Sequence, residues 1–331
     1  MTPEKKVLLE VKNLKVYFKV KTKNRLPWQA KKKLKAVDDV SFSIYEGETL
    51  GVVGESGCGK TSLARSLIGL NPISSGEVIW KGKNIAKFSS KEWFLLRSEI
   101  QYVFQDPFAS LDPRYTVGEI IAEPLTVHEP GKSQAYYREQ VLTIMQKVGL
   151  TEKMINRYPH EFSGGQAQRI GIARALILRP KLLICDEPVS ALDVSIQAQV
   201  INLLQDLQKE FGLTIIFIAH NLSVVKHISN HVMVMYLGKI MEYADKYSLY
   251  HMPQHPYTQA LLASIPEPDP VVEKSKKAVL LEGDLPSPIN PPTGCVFRTR
   301  CPIASAECAE IIPALENTNV GAAHQVACIK V

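Results

Sequence analysis

Gly54-Glu55-Ser56-Gly57-Cys58-Gly59-Lys60-Thr61 has the spacing G-x-x-x-x-G-K-T and follows the apolar run Thr49-Leu50-Gly51-Val52-Val53 directly. Glycines let such a backbone curl so that successive N–H groups face phosphate oxygens, and the positive end of a following helix adds to the field. Here that helix is expected to continue through Ser62-Leu63-Ala64-Arg65. Lys60 would reach the β and γ phosphates, and the Thr61 hydroxyl would sit on Mg²⁺. The cradle therefore comprises Gly54, Ser56, Gly57, Cys58, Gly59, Lys60, Thr61 and Ser62. A strand before and a helix after separate a working phosphate loop from a chance match, so the chain is expected to bind a nucleoside triphosphate.

A second chemical element lies at Leu182-Leu183-Ile184-Cys185-Asp186-Glu187, where two carboxylates end an apolar strand. Ligands collect at that edge of open α/β sheets. Asp186 would hold Mg²⁺ through its water shell, and Glu187 would be the base that orients and polarises the attacking water. Alone, an acidic pair at a strand end reads equally well as a solvated turn; downstream of a phosphate loop it supplies metal site and base. A third element is Phe162-Ser163-Gly164-Gly165-Gln166 leading into Ala167-Gln168-Arg169-Ile170. Ser163 can cap a helix whose first amides, unobstructed at Gly164 and Gly165, form a second anion site.

Two phosphate-facing helix starts about 100 residues apart resemble the ABC ATPase family, whose signature motif is Ser-Gly-Gly-Gln. The resemblance implies that Ser163, Gly164, Gly165 and Gln166 of one subunit close over ATP held by the phosphate loop of another. The family's other markers follow in order. Gln105, in Val103-Phe104-Gln105-Asp106-Pro107, matches the glutamine that senses the γ-phosphate and Mg²⁺; Asp193, in Ser190-Ala191-Leu192-Asp193, matches the loop that crosses the dimer interface. His220, 33 residues after Glu187, matches the switch histidine that contacts the γ-phosphate. A lone histidine after an apolar strand is more often a core residue, and its company in the motif series reverses that judgement. Phe18 aligns with the aromatic that stacks on adenine, with Tyr17 as its neighbouring alternative.

Outside the hydrolytic motifs, Phe104-Gln105-Asp106-Pro107-Phe108-Ala109-Ser110-Leu111-Asp112-Pro113-Arg114 and His255-Pro256-Tyr257-Thr258-Gln259-Ala260-Leu261-Leu262 resemble the ATPases of oligopeptide, dipeptide and nickel importers. The likeness is greater to the second, F-type ATPase of the pair. It implies ATP and Mg²⁺ as cofactors, and a translocase ATPase that powers peptide import, with nickel or another small solute as the alternative cargo. It also implies a related but distinct second ATPase, two integral membrane permeases and an external substrate-binding protein.

The elements that must position these residues can be read from periodicity. Leu8 to Phe18 and Ala36 to Ile44 partly alternate and are expected as half-buried strands; Ser74 to Lys83 reads as turn, strand, turn. Helices are expected over Val117 to Leu125, Tyr136 to Val148 and Ile196 to Phe211, and strands at 181–187, 213–220 and 232–236. Near-continuous apolar strands alternating with helices indicate a parallel sheet covered on both faces. With the resemblance, the expected fold class is α/β: a P-loop NTPase of ABC ATPase type with a mixed β-sheet core, an inserted helical subdomain and a small Pro/Cys-rich C-terminal domain. The expected boundaries are 1–250 for the ATPase domain, about 90–165 for its helical subdomain and 251–331 for the C-terminal domain.

The 331 residues are 45% hydrophobic and 22% charged, an ordinary globular composition. The net charge of +6 is concentrated in residues 21–35, which hold seven Lys and Arg and no acid; without them the rest is at −1. No basic excess remains to track a nucleic-acid backbone. The segment reads as a solvated hairpin insertion, and Leu26-Pro27-Trp28 could alternatively dip into anionic lipid headgroups. Neither a signal peptide nor a membrane span is read, so the chain is expected to stay in the cytoplasm; the resemblance implies a peripheral subunit at the cytoplasmic face of a bacterial or archaeal membrane.

Eleven of the 21 prolines lie in the last 79 residues, together with Cys295, Cys301, Cys308 and Cys328. Gaps of five, six and nineteen residues lack the close C-x₂₋₄-C pair usual for zinc. Four thiolates, three near and one far, can hold a four-iron cluster, and some members of the importer family carry one, so a 4Fe–4S cluster is expected, with zinc or free thiols as alternatives. Other classes fit less well. ABC ATPases acting on DNA or ribosomes typically carry coiled coils or a second ATPase unit, exporters commonly fuse the ATPase to membrane spans, and a small-molecule kinase has no use for Ser163 to Gln166.

Overall fold

The computed structural model describes residues 6–20, 32–266, 283–318 and 324–331. Residues 21–31 of the expected basic insertion lie outside the described residues, and Lys32 to Lys35 begin a strand. The strands, in chain order, are β1 (Val7–Val20), β2 (Lys32–Tyr45), β3 (Thr49–Val53), β4 (Ser75–Trp80), β5 (Lys83–Asn84), β6 (Ile100–Val103), β7 (Leu182–Asp186), β8 (Thr214–Ile218), β9 (His231–Tyr236), β10 (Lys239–Asp245), β11 (Glu316–Asn317) and β12 (Gln325–Val326). The chain divides into two compact units, one made of Met1–Leu8, Ile44–Thr49 and Lys87–Ala219, the other of Leu9–Ser43, Leu50–Ala86 and His220–Val331.

In the first unit β6, β7 and β8 lie parallel, with Ile100 beside Leu182 and Leu182 beside Thr214. Every residue of β7 and β8 is buried, which is why these strands read as unbroken apolar runs rather than alternating ones. The strand β6 was not expected; its four residues follow the helix Ser90–Glu99 without a break and are too short to show a period. The expected helices are present as Val117–His128, Gln134–Lys147 and Val194–Phe211. They surround the helix Gly164–Leu176, in which Ala167, Ile170, Ile172 and Ala173 are fully buried. Ser89 with Glu92, Thr116 with Glu119 and Ser163 with Gln166 form capping boxes that satisfy the first amides of their helices.

In the second unit β2, β1, β4 and β5 form a sheet in that order, with β4 antiparallel to both β1 and β5. β3 pairs in parallel with β9, and β9 turns back into β10 through Leu237 and Gly238, both at positive φ (44° and 79°), the geometry of a tight two-residue hairpin. β12 extends this arrangement from β10, and β11 from β12. Among the described residues no helix is long and apolar enough to cross a membrane.

The loop-rich region beyond residue 250 is fastened to β10 by one buried carboxylate. Glu242 is fully buried and accepts the N–H groups of Gln254 at 2.8 Å and His255 at 3.0 Å, and it pairs with His324 Nε2 at 2.6 Å. A glutamate inside β10 concealed that strand from pattern reading. Replacing it would strip the partner from the buried His255 N–H and His324 ring, each costing roughly 1–3 kcal/mol, and from the half-buried Gln254 N–H. Glu242→Ala is therefore expected to lower the thermal midpoint and to open residues 246–266, 283–318 and 324–331 to limited proteolysis. Wild-type protease resistance in that variant would refute the anchoring role.

Candidate active site

In the second unit the phosphate loop leaves β3 and enters the helix Lys60–Leu67. Gly59 caps that helix at φ 108°, and a Cβ there would stand 2.1 Å from the carbonyl oxygen of Ala36. Only glycine meets both conditions. Lys60 is buried, and its Nζ donates to the carbonyls of Gly54 at 2.7 Å and Glu55 at 3.1 Å. Ser56 and Gly57 are exposed, Thr61 and Ser62 half-buried. The Cys58 thiol is buried, and burial pushes its pKa up despite the nearby Lys60 ammonium, so it stays a neutral packing group. Its carbonyl accepts the Gly238 N–H at 2.8 Å, and the Gly238 carbonyl accepts from Asp38 at 2.8 Å, which ties the loop to the β9–β10 turn and to β2.

Asp38 also fixes Tyr17, whose hydroxyl donates to its carboxylate while Lys239 and Lys35 stand 3.4 and 3.7 Å away. Phe18, the next residue of β1, leaves on the opposite face and is half-buried. His220 is exposed, just ahead of the helix Leu222–Ile228 that Asn221 caps.

In the first unit Asp186 is the buried last residue of β7, and Tyr102 Oη donates to its Oδ2 at 2.6 Å. Glu187 follows at φ 47°, a left-handed conformation that costs a non-glycine residue about 1–3 kcal/mol and clusters at working sites. Its N–H donates to Ile218 at 3.0 Å, and its carbonyl accepts the Ser190 hydroxyl at 3.0 Å, which together hold the turn. Gln105 Nε2 donates to Glu187 Oε2 at 3.0 Å, so two of the expected hydrolytic residues meet directly. Ser163 is exposed at the start of its helix, where its hydroxyl accepts the Gln166 N–H at 3.4 Å and the Gln166 side chain accepts the Ser163 N–H at 3.1 Å. A Cβ on Gly165 would lie 2.6 Å from Ile196, so that glycine also serves close packing against Val194–Phe211. Asp193 is the exposed N-cap residue of that helix. Sequence reading missed Tyr102 and Ser190, because a single hydroxyl in a short strand or turn carries no spacing signal.

The four tail cysteines, with His255 and Phe297, line one small cavity in the second unit. The Cys295 N–H donates to the Cys308 carbonyl at 2.8 Å. Burial pushes the Cys295 and Cys301 thiols up, whereas hydrogen bonds from Ser305 hold Cys308 down. Four sulfurs on one cavity are a soft donor set that suits iron–sulfur or zinc. Among the described residues, however, no three or more His, Cys, Asp or Glu side chains are arranged at metal-holding positions.

Two glycine-flanked helix starts, a strand-end Asp-Glu pair and the glutamine that meets it are the arrangement expected of the ATP-binding cassette class. Residues 37–190 match the ABC transporter family model, and residues 241–308 match that of the oligopeptide/dipeptide transporter C-terminal region. The chain is 61% identical over 331 residues to the oligopeptide transport ATP-binding protein OppF of Escherichia coli K12, covering 100% of this chain and 98% of that protein. It is 52% identical over 322 residues to the oligopeptide transport ATP-binding protein AppF of Bacillus subtilis 168, covering 97% and 96%. A dimeric ATP-binding cassette solved in a post-hydrolysis state with ADP and Pi matches with a TM-score of 0.64 at 26% identity, covering 72% of this chain and 99% of that one. The protein cbiO1 of Clostridium perfringens, part of the ABC transporter complex cbiONQ, matches at 0.64 and 27%, covering 75% and 92%. The chain belongs to the ATP-binding subunits of oligopeptide-type ABC transporters, and it is an ATPase.

Tyr102→Phe removes the hydroxyl that donates to the buried Asp186 carboxylate. It is expected to cost about 1–3 kcal/mol of stability and to raise the Mg²⁺ concentration for half-maximal ATP hydrolysis. An unchanged Mg²⁺ titration would remove Tyr102 from the site.

Proposed function

We propose that this chain powers uptake of oligopeptides across the cytoplasmic membrane, as one of two distinct ATPases beneath a pair of permeases served by an external binding protein. The observation that carries the reading is full-length likeness to oligopeptide ATPases, including the C-terminal region. The subunit would sit peripherally on the cytoplasmic face. Residues 1–250 would form the ATPase domain with its helical subdomain at about 90–165, and 251–331 the importer-specific C-terminal domain.

In this reading Gly54 and Ser56 to Ser62 cradle the phosphates and Phe18, with Tyr17 beside it, supports the adenine. Mg²⁺, held by Thr61, Gln105 and Asp186, would neutralise charge on the β and γ phosphates. Glu187 takes the proton-accepting role toward the attacking water, and the amide of Gln105 fixes its carboxylate. His220 would contact the γ-phosphate. Ser163, Gly164, Gly165 and Gln166 would close on the ATP of the partner ATPase, with Asp193 at the interface. Binding drives closure only through ATP's preference for the closed pair, and hydrolysis with phosphate release reopens it.

Glu187→Gln is expected to keep ATP binding, to trap the closed pair, and to lower hydrolysis at least about 100-fold. In cells it should abolish uptake of a labelled tripeptide and leave nickel uptake intact. Normal turnover would refute the assignment of the base, and loss of nickel rather than peptide uptake would reassign the cargo.

We also propose a 4Fe–4S cluster on Cys295, Cys301, Cys308 and Cys328, on the ground that all four thiols line one cavity in a region short of apolar core; the side chains would have to draw together to hold it. Anaerobically purified chain should be brown, with about four irons per molecule and matching labile sulfide. Colourless protein without iron, or with stoichiometric zinc, would overturn the cluster.

A further inference from the structure

The family's His-Pro-Tyr segment has a structural role that can be followed atom by atom to the phosphate loop. His255, Pro256 and Tyr257 are the N-cap and first two residues of the helix Pro256–Ala263. His255 Nδ1 accepts the Tyr257 N–H at 3.0 Å, and the His255 N–H is held by the buried Glu242. Burial pushes the His255 pKa down to about 4, so the ring is neutral and its Nδ1 is free to accept. Pro256 restricts the backbone at the same point. Tyr257 thus emerges in a fixed direction, its ring fully buried between Tyr236 at 4.9 Å and Phe297 at 5.3 Å.

The Tyr257 hydroxyl accepts the backbone N–H of Glu55 at 3.0 Å. Glu55 is the first variable residue of the phosphate loop. Its carboxylate receives Arg300 Nη1 at 2.8 Å, an ion pair in which the arginine side chain is only 9% exposed. Arg300 is itself placed by its N–H bond to the Phe297 carbonyl at 2.9 Å and by the Tyr236 ring beneath its guanidinium at 5.9 Å. The carbonyl of Glu55 takes Lys60 Nζ. Every polar group of this one loop residue is therefore held, two of them from the C-terminal region.

We propose that Tyr257 and Arg300 are positioning residues for ATP binding, clamping Glu55 so that the loop is held in its phosphate-accepting shape before nucleotide arrives. This rests on the reading of Gly54 to Thr61 as the ATP phosphate site. A loop already ordered loses less conformational entropy on binding, so the clamp acts on affinity rather than on the chemical step. It also gives the importer-specific C-terminal region a share in the nucleotide site of its own chain.

The test uses the full chain assembled in its transporter, with ATP titrated against hydrolysis and a fluorescent ATP analogue titrated for binding. Tyr257→Phe, Arg300→Gln and Glu55→Gln are each expected to raise KM and the analogue's Kd about 5- to 20-fold, with kcat within about twofold. Arg300→Lys should recover most of the loss, and Glu55→Gln combined with Arg300→Gln should be no weaker than either alone. A role confined to packing predicts the opposite split: a lower thermal midpoint or lower kcat with KM unchanged, and that result overturns the proposal. Should Tyr257→Phe fail to fold, Glu55→Gln decides, since it leaves the aromatic packing untouched; an unchanged KM there also overturns the clamp. Lys60→Ala tests the underlying reading separately, because retained ATP binding in that variant would sink the phosphate-loop assignment itself.

Discussion

A strand buried on both faces cannot carry a charged side chain along its length, because each would be stripped of water without a partner. That constraint governs where chemistry can occur in this chain. The residues of β3, β7 and β8 are all buried, and their polar groups are pushed to the strand ends. The phosphate loop follows β3, Gln105 follows β6, Asp186 and Glu187 end β7, and His220 follows β8. Each motif thus lies at, or within a few residues of, the end of one of these strands, with Asp186 buried at the end of β7 and Gln105 and His220 exposed. Loops of this kind vary freely in chemistry only because the strands behind them do not.

The same constraint decides what could be read without coordinates. The parallel strands were legible because double burial writes unbroken apolar runs, and the candidate hydrolytic residues could be picked out because they follow those runs at short intervals. What escaped was either too short for a period or polar where a strand should be apolar. β6 has four residues, and β10 contains Glu242, fully buried and therefore indistinguishable by pattern from a solvated glutamate. Tyr102 and the left-handed backbone of Glu187 leave no trace in spacing at all, since one is a single hydroxyl bond and the other a torsion.

Gly165 illustrates a subtler limit. From sequence, Gly164 and Gly165 leave the helix amides open to an anion, and nothing in the structure removes that use. Yet the space a Cβ would need at Gly165 is taken by Ile196, so the residue is also required by packing. A glycine can meet two demands, and a motif read for chemistry alone identifies only one of them.

The C-terminal region follows a different physical logic from the strands. Its fully buried aromatic residues, Tyr257 and Phe297, meet Tyr236 of β9 in edge-on pairs, an apolar nucleus too small to order the 60 described residues beyond 250 by burial alone. Polar anchoring makes up the difference, with Glu242 collecting three donors and Glu55 receiving Arg300. Buried charge is costly unless every partner is present, so this arrangement is steeply dependent on its completeness. Phe297 is shared by the aromatic nucleus and the cysteine-lined cavity. The packing that aims Tyr257 at the phosphate loop and the packing that encloses the thiols are therefore one and the same, and neither can be remodelled without the other.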